Sequence, residues 1–339
     1  MANGQPITMR QFMGPLIQAR GLPLLLNLVQ LELVKQDASQ SHIAVSTDDV
    51  RREEELTLDK LFHDRDEKEQ EQLAQAQRKG DKELAAKLAT QIRQEREQFL
   101  GEYLENQHYT RVEYDMVIEI NAYLRKLAEP LAKGKITDEM VQREFGIEYG
   151  ETAQVRVISL SNMQEVQEAQ RRLKAGEDFG ELAKQMSRDA RTASLGGEFP
   201  AFSRQSPGFP AEFKELAFSL QPGQVSEALN FRGAYYLIKL ERKFPPKAVK
   251  FDSVKESLRK SMYERLIESL MGQFRQGLGE QAMTKLTISE PEMAKQFDAL
   301  KAKQIAAIRD RQKIDEQWKK EREAQAATQP AATAPATQP

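Results

Sequence analysis

The chain of 339 residues has no cysteine, three histidines and one tryptophan. Without cysteine there is no disulfide framework and no thiolate metal site. The histidines (His42, His63 and His108) are scattered without metal-ligand spacing, so the residues call for no metal and no cofactor. An excess of one charge is also lacking. Fifty Lys and Arg face 52 Asp and Glu, a net charge of -2, which gives no electrostatic case for nucleic acid. Long apolar runs are scarce too. The best candidate, 22–34, is shorter than the roughly 20 residues of a membrane span, and Asn27, Gln30 and Glu32 interrupt it. No small-residue cleavage site follows it, so it reads as a helix packed in a core rather than as a span or an export signal.

What is present is helix, in quantity. The length suggests two or more domains. Thr8 caps a first short helix, which Pro15 and Gly21-Leu22-Pro23 should end or kink. A leucine-rich helix follows over 23–40. Ser46-Thr47-Asp48-Asp49 is a strong helix start. The residues after it, to about 98, are roughly half charged and mixed in sign, which suits a solvated helix pair turning at Gly80. Thr110 and Glu113 form a capping box. Met116, Ile120, Tyr123, Leu127 and Leu131 then repeat at helical spacing, and Thr137 starts a short helix through Phe145.

The pattern changes near Gly150. Residues 153–160 read as a strand, and 161–174 as a helix with a Ser161/Gln164 capping box. Helices at 178–186 and 210–220 and a strand over 231–240 complete a small α+β domain. Asp252 then caps a long amphipathic helix carrying Val254, Leu258, Met262, Leu266, Leu270 and Phe274. A last charged helix over 291–324 bears Met293, Phe297, Leu300, Ile308 and Trp318. The Ala/Thr/Pro/Gln tail should be disordered. The expected divisions are 1–150 (with a charged insert at 48–98), 151–244, 245–325 and the tail 326–339. The fold class is α+β: a helical domain built from the N- and C-terminal segments, with a small antiparallel sheet and its helices inserted.

Within 182–203, Asp189 is followed by Gly196-Gly197 and then Phe199 and Phe202, a carboxylate beside aromatics. Three segments occur in order. They are Phe179-Gly-Glu-Leu-Ala-Lys-Gln-Met-Ser187, then Gly196-Gly-Glu-Phe-Pro-Ala-Phe202, then Phe213-Lys-Glu-Leu-Ala-Phe218 with Pro222-Gly-Gln-Val-Ser226. In order and spacing they resemble the parvulin-type peptidyl-prolyl isomerases. The start around Asn3-Gly4 and the helix from Asp252 resemble SurA/PrsA-type foldases. That resemblance implies an exported, periplasmic or otherwise extracytoplasmic protein, so the sequence then reads as a form without its leader. It implies partners that are unfolded or nascent exported polypeptides and proline-containing segments. Oligomeric state stays open.

Rotation about an X-Pro bond crosses a barrier of about 18–20 kcal/mol. A catalyst holds the proline ring in an apolar pocket and favours the twisted amide. By resemblance, Phe202, Phe209 and Phe213 form the ring pocket, with Phe199 beside it, and Asp189 stands where the family places cysteine or aspartate. The family's two histidines are replaced: the first position reads as Arg156, the second as Tyr236, or Tyr235 in the neighbouring register. Tyrosine donates and accepts hydrogen bonds, whereas arginine only donates. Asp189 also reads as a loop carboxylate bonded to backbone amides, and Arg156 as a structural ion-pair partner. Two functions follow. One is a folding factor that binds unfolded chains through a domain that lacks the histidines. The other is an active isomerase working through Asp189 and a tyrosine-based network.

Overall fold

The computed structural model describes residues 6 and 8–327. Asn3, Gly4, the side chains of His63, Ile308 and Trp318, and the tail 328–339 lie outside the described residues. By its contacts the chain divides into two units, 1–135 with 264–309 and 136–263 with 310–339.

The first unit is helical. Thr8 caps α1 (Met9–Leu16), with Gln11 closing the box. The sequence predicts a break or kink at Pro15 and Gly21-Leu22-Pro23, but the chain stays helical there. A π-turn, Ile17–Gly21, carries it into α2 (Leu22–Gln40). The resulting helical run Gln11–Gln40 is 30 residues long, and its most apolar window has a mean hydropathy of 1.2 with 6 % buried. By length and composition it is long enough to cross a membrane, which corrects the reading of a run too short to do so. Farther along α2, Leu31, Val34 and Ala38 are buried within this unit.

Ser46 caps α3 (Thr47–Lys79), Gly80 makes the left-handed turn, and α4 (Lys82–Asn106) returns. The pair extends past its expected end near 98. Arg96 of α4 binds Asp59 at 2.6 Å and also pairs with Asp66, where α3 is kinked (φ -107°, ψ 15°). Phe62, Leu100, Leu104, Tyr114 and Ile118 make the core of this region. Helix α5 (Arg111–Ala132) differs from its expected single stripe. Ile120 and Leu127 are buried, but so are Tyr114, Ile118, Leu124, Arg125 and Ala128, while Leu131 is exposed. The helix packs against both α2 and α3, so more than one face is covered.

Arg125 sits in that sandwich at 5 % exposure, bonded to the buried Glu53 of α3 and, at 2.8 Å, to Glu264. Glu264 lies on α11 (Phe251–Lys285), which also buries Ile267, Met271 and Leu278. Phe297 of α12 (Pro291–Ala327) is buried as well.

In the second unit, α6 (Asp138–Glu148) is capped by Thr137 and held by Arg259, which reaches the Ile136 carbonyl at 3.0 Å and pairs with Asp138. The sheet follows, in the order β2-β1-β4-β3, all antiparallel. Its strands are β1 (Thr152–Leu160), β2 (Phe202–Ser203), β3 (Leu229–Phe231) and β4 (Ala234–Phe244). The helices between them are α7 (Met163–Lys174), α8 (Phe179–Met186), α9 (Ala190–Ala193) and α10 (Ala211–Ser219). The expected Ser161/Gln164 box is displaced by one residue. Asn162 caps α7 by accepting from Glu165 N–H, and the Glu165 carboxylate accepts from Ser161 N–H. The single expected closing strand is a hairpin, β3 and β4 joined through Arg232 and Gly233, both at positive φ.

Two outcomes test the first unit. Arg125→Ala leaves Glu53 as an unpaired buried carboxylate and should cost about 3–5 kcal/mol in urea unfolding. The Asp49 carboxyl is lowered to about 2, first by accepting the Ser46 backbone N–H and then its hydroxyl. A lowered folded pKa means that this contribution is complete above the ordinary aspartate range and is lost as pH falls toward 2. Wild type should therefore lose more stability between pH 5 and about pH 2 than Asp49→Asn does, measured by acid titration of unfolding free energy.

Candidate functional site

The site is built on the β1–β4 pair. Its register places Ser159 opposite Tyr236, Val157 opposite Ile238 and Arg156 opposite Lys239. Side chains alternate between the two faces of a strand. One face carries Val155, Val157, Ile238 and Leu240, which pack with Phe202, Phe213, Ala217, Phe218 and Leu220. The other carries Ile158, Leu160 and Leu237, which pack with Val166 of α7 and Phe179 and Leu182 of α8.

The first face gathers the aromatics that the sequence singled out. Phe202 and Phe213 are 3 % and 5 % exposed and form its floor, while Phe199 and Phe209 are half-buried above them. Phe209 stacks on Phe202 at 4.5 Å and on Phe213 at 5.2 Å, and Phe199 meets Phe209 edge-on at 5.9 Å. Tyr236 packs against the same cluster. These rings bring a short loop strand, a glycine-rich loop and α10 together around the end of β4.

The loop bearing Asp189 is stitched to β1 at Ser159. The Ser159 N–H donates to Ser187 Oγ at 3.1 Å, and the Arg188 N–H donates to the Ser159 carbonyl at 2.8 Å. Asp189 is the N-cap of α9, accepting from the Arg191 N–H and the Thr192 hydroxyl, each at 3.2 Å. Its carboxylate is thus engaged in bonds within its own loop. Beyond α9, Gly196 and Gly197 take positive φ of 64° and 77°. The chain then runs beside β1, with Val157 N–H donating to the Gly197 carbonyl (2.8 Å) and Phe199 N–H to that of Val155 (3.0 Å). A Cβ on Gly197 would stand 2.4 Å from the Val157 carbonyl oxygen. Only glycine allows the turn to lie this close to the strand.

Two of the candidates lie elsewhere. Arg156 is on the α8 face, opposite to Tyr236 and the phenylalanines. It donates to the carbonyls of Leu195 and Gly196 and lies near Glu198 and Glu241. Tyr235 packs on that same opposite face. Asp189, Tyr236 and Arg156 are thus not one constellation. The polar residue that shares a face with Tyr236 is Ser159, 9 % exposed, which the sequence did not single out. A serine in a run of strand residues carries no signal of its own. Only the register with β4 picks it out.

On the Arg156 side lies a cavity of about 500 Å³, lined by Asp178, Lys184, Leu195, Lys239 and Glu241 as well as Arg156. The Asp178 carboxyl is held below the ordinary aspartate range, chiefly by accepting the Glu181 backbone N–H at the start of α8. Among the described residues, no three His, Asp or Glu converge as metal ligands.

The family model described as rotamase, PPIC-type PPIASE domain, matches residues 161–242. Residues 161–242 are a parvulin-type domain. Foldase protein PrsA 3 of Bacillus anthracis is 29 % identical over 178 residues, 52 % of this chain and 60 % of that protein. Foldase protein PrsA of Oceanobacillus iheyensis is 34 % identical over 130 residues, 38 % of this chain and 42 % of that one. The chain thus aligns with about half the length of these relatives. A solved foldase protein PrsA from Streptococcus pneumoniae is 20 % identical, covering 88 % of this chain and 97 % of that one at a TM-score of 0.35. The parvulin match begins one residue after β1, so it does not reach the strand that carries Arg156 and Ser159.

In this parvulin-type domain, Gly197→Ala should lower stability by about 2 kcal/mol, because alanine is strained at positive φ and its Cβ collides with β1. Thermal unfolding of the full chain checks it. A variant as stable as wild type would mean that the turn does not lie against the strand.

Proposed function

We propose that this chain is an extracytoplasmic protein-folding factor whose parvulin-type domain grips proline-containing segments of unfolded polypeptides. The observation that carries this reading is the aromatic face. Two half-buried rings, Phe199 and Phe209, lie over the buried Phe202 and Phe213, with Tyr236 at their edge. Such a surface offers apolar area to a proline ring and, through the tyrosine hydroxyl, a hydrogen bond to a neighbouring peptide group. The kinship with PrsA foldases supports the folding role and the location outside the cytoplasm. Helical parts of the first unit would supply further surface for extended clients.

A second reading, an active prolyl isomerase, is favoured by one specific arrangement. The loop that begins at Ser187 and carries Asp189 is bonded to β1 at Ser159, and Ser159 faces Tyr236 across the strand pair. Asp189, Ser159 and Tyr236 would then supply the polar side of the site in the absence of histidine. A hydroxyl can donate to one amide atom and accept from another as the peptide bond twists, which a guanidinium cannot do.

The two readings separate in one pair of measurements on the full chain. Phe209→Ala should weaken binding of a labelled proline-containing tetrapeptide by roughly tenfold, the scale expected for truncating an aromatic anchor. Unchanged affinity would remove the aromatic face from the site. In a prolyl-peptide isomerisation assay, a binding-only domain shows no turnover above background. Turnover that falls by about a hundredfold in Tyr236→Phe or Asp189→Ala would instead establish the enzyme.

A further inference from the structure

We infer that Arg156 is a positioning residue. From the face of the sheet opposite the aromatic cluster, it holds the Gly196-Gly197 turn against β1 and so sets where Asp189, Phe199 and Phe202 stand. This rests on the peptide-site reading above and adds to it the group that shapes the site from behind.

The guanidinium is engaged by the turn and its neighbours. Nη1 donates to the Leu195 carbonyl at 3.0 Å and to the Gly196 carbonyl at 2.9 Å. Nη2 lies 3.4 Å from Glu198 Oε2, and Nε lies 3.3 Å from Glu241 Oε1. Lys239, directly across from Arg156 on β4, approaches the same Glu241 oxygen at 3.1 Å. A Cβ on Gly196 would come within 2.7 Å of Nη1, so the guanidinium occupies the space that a side chain there would need. Near the 195–196 end, the turn borders the 500 Å³ cavity lined mostly by charged side chains. It is held from that side by polar bonds to Arg156, beside the close approach of Gly180 and Ala183 of α8.

The turn is also the joint between the two halves of the site. Before it comes α9, capped by Asp189; after it come Phe199 and β2 with Phe202. The strand-like bonds of Gly197 and Phe199 to Val157 and Val155 start at the point where Arg156 holds the chain. Loss of the two carbonyl bonds frees both halves at once. A planar fork with five donors can satisfy two carbonyls and two carboxylates together, whereas a lysine ammonium supplies the charge without that geometry.

Arg156→Lys in the full chain is therefore the discriminating variant. It keeps the charge between Glu198 and Glu241 and gives up the paired carbonyl bonds. The expected result has three parts. The global unfolding midpoint stays at the wild-type value. Amide hydrogen exchange at Val157 and Phe199 speeds up by roughly tenfold, and the Kd for the labelled proline-containing tetrapeptide rises by roughly tenfold. Glu198→Gln, which removes one outer contact only, should leave both readouts at wild-type values. Unchanged exchange in Arg156→Lys overturns the inference. So does faster exchange with unchanged affinity, or an affinity loss that only follows a fall in the unfolding midpoint. A wild-type chain that binds no such peptide defeats the peptide-site reading first, before any variant is made, and the positioning role falls with it.

Discussion

Everything in the parvulin-type domain depends on the antiparallel pairing of β1 with β4. Hydrogen bonding between these strands sets a period of two, and that period divides the side chains between two unlike environments. One is an apolar face of phenylalanines with Tyr236 and Ser159. The other is a helix-packed face whose outer end is charged, with Arg156, Lys239 and Glu241. A slip of one residue in the register would exchange the two sets and bury the ion pairs under the phenylalanines. The apolar cores on both faces hold the register against that slip.

The loop between α8 and β2 is the part of the domain that turns this sheet into a site. It has little regular structure, yet it is bonded to β1 at successive positions, through Ser187 and Arg188 at Ser159, Gly197 at Val157 and Phe199 at Val155. It thereby behaves as an edge strand without the look of one. The glycine pair permits the close approach, and the aromatic rings that follow it close over the sheet. The helical unit works on a different principle. There, one buried arginine joins α3, α5 and α11, segments far apart in the chain, through two carboxylates.

Features carried by neighbouring residues are legible in the chain itself. The caps at Thr8, Ser46, Thr110 and Thr137, and the turn at Gly80, all lie where side-chain oxygens and glycine predict them. Such signals act over three or four residues, and tertiary packing seldom overrides them. The elements that escape a sequence reading are of another kind. Strand β2 has two residues and β3 has three, too few for any periodicity, and they exist because β1 and β4 offer free edges. The double-sided burial of α5 escapes because a sequence stripe reveals one apolar face and not a second neighbour. The continuous helix through Pro15 and Gly21 escapes because a π-turn has no sequence mark.

By itself the sequence determined the helical and α+β regions, the order of the parvulin-like segments, the aromatic residues of the candidate site and the absence of histidine from it. It determined these because composition and short-range spacing are properties of the chain alone. Only the tertiary structure decided that Ser159 and not Arg156 shares a face with Tyr236, and that Arg156 supports the glycine turn from the other side. That choice belongs to the register of two strands about 80 residues apart in sequence, a spacing that no local pattern encodes. It is made where hydrogen bonds and two apolar cores are satisfied together.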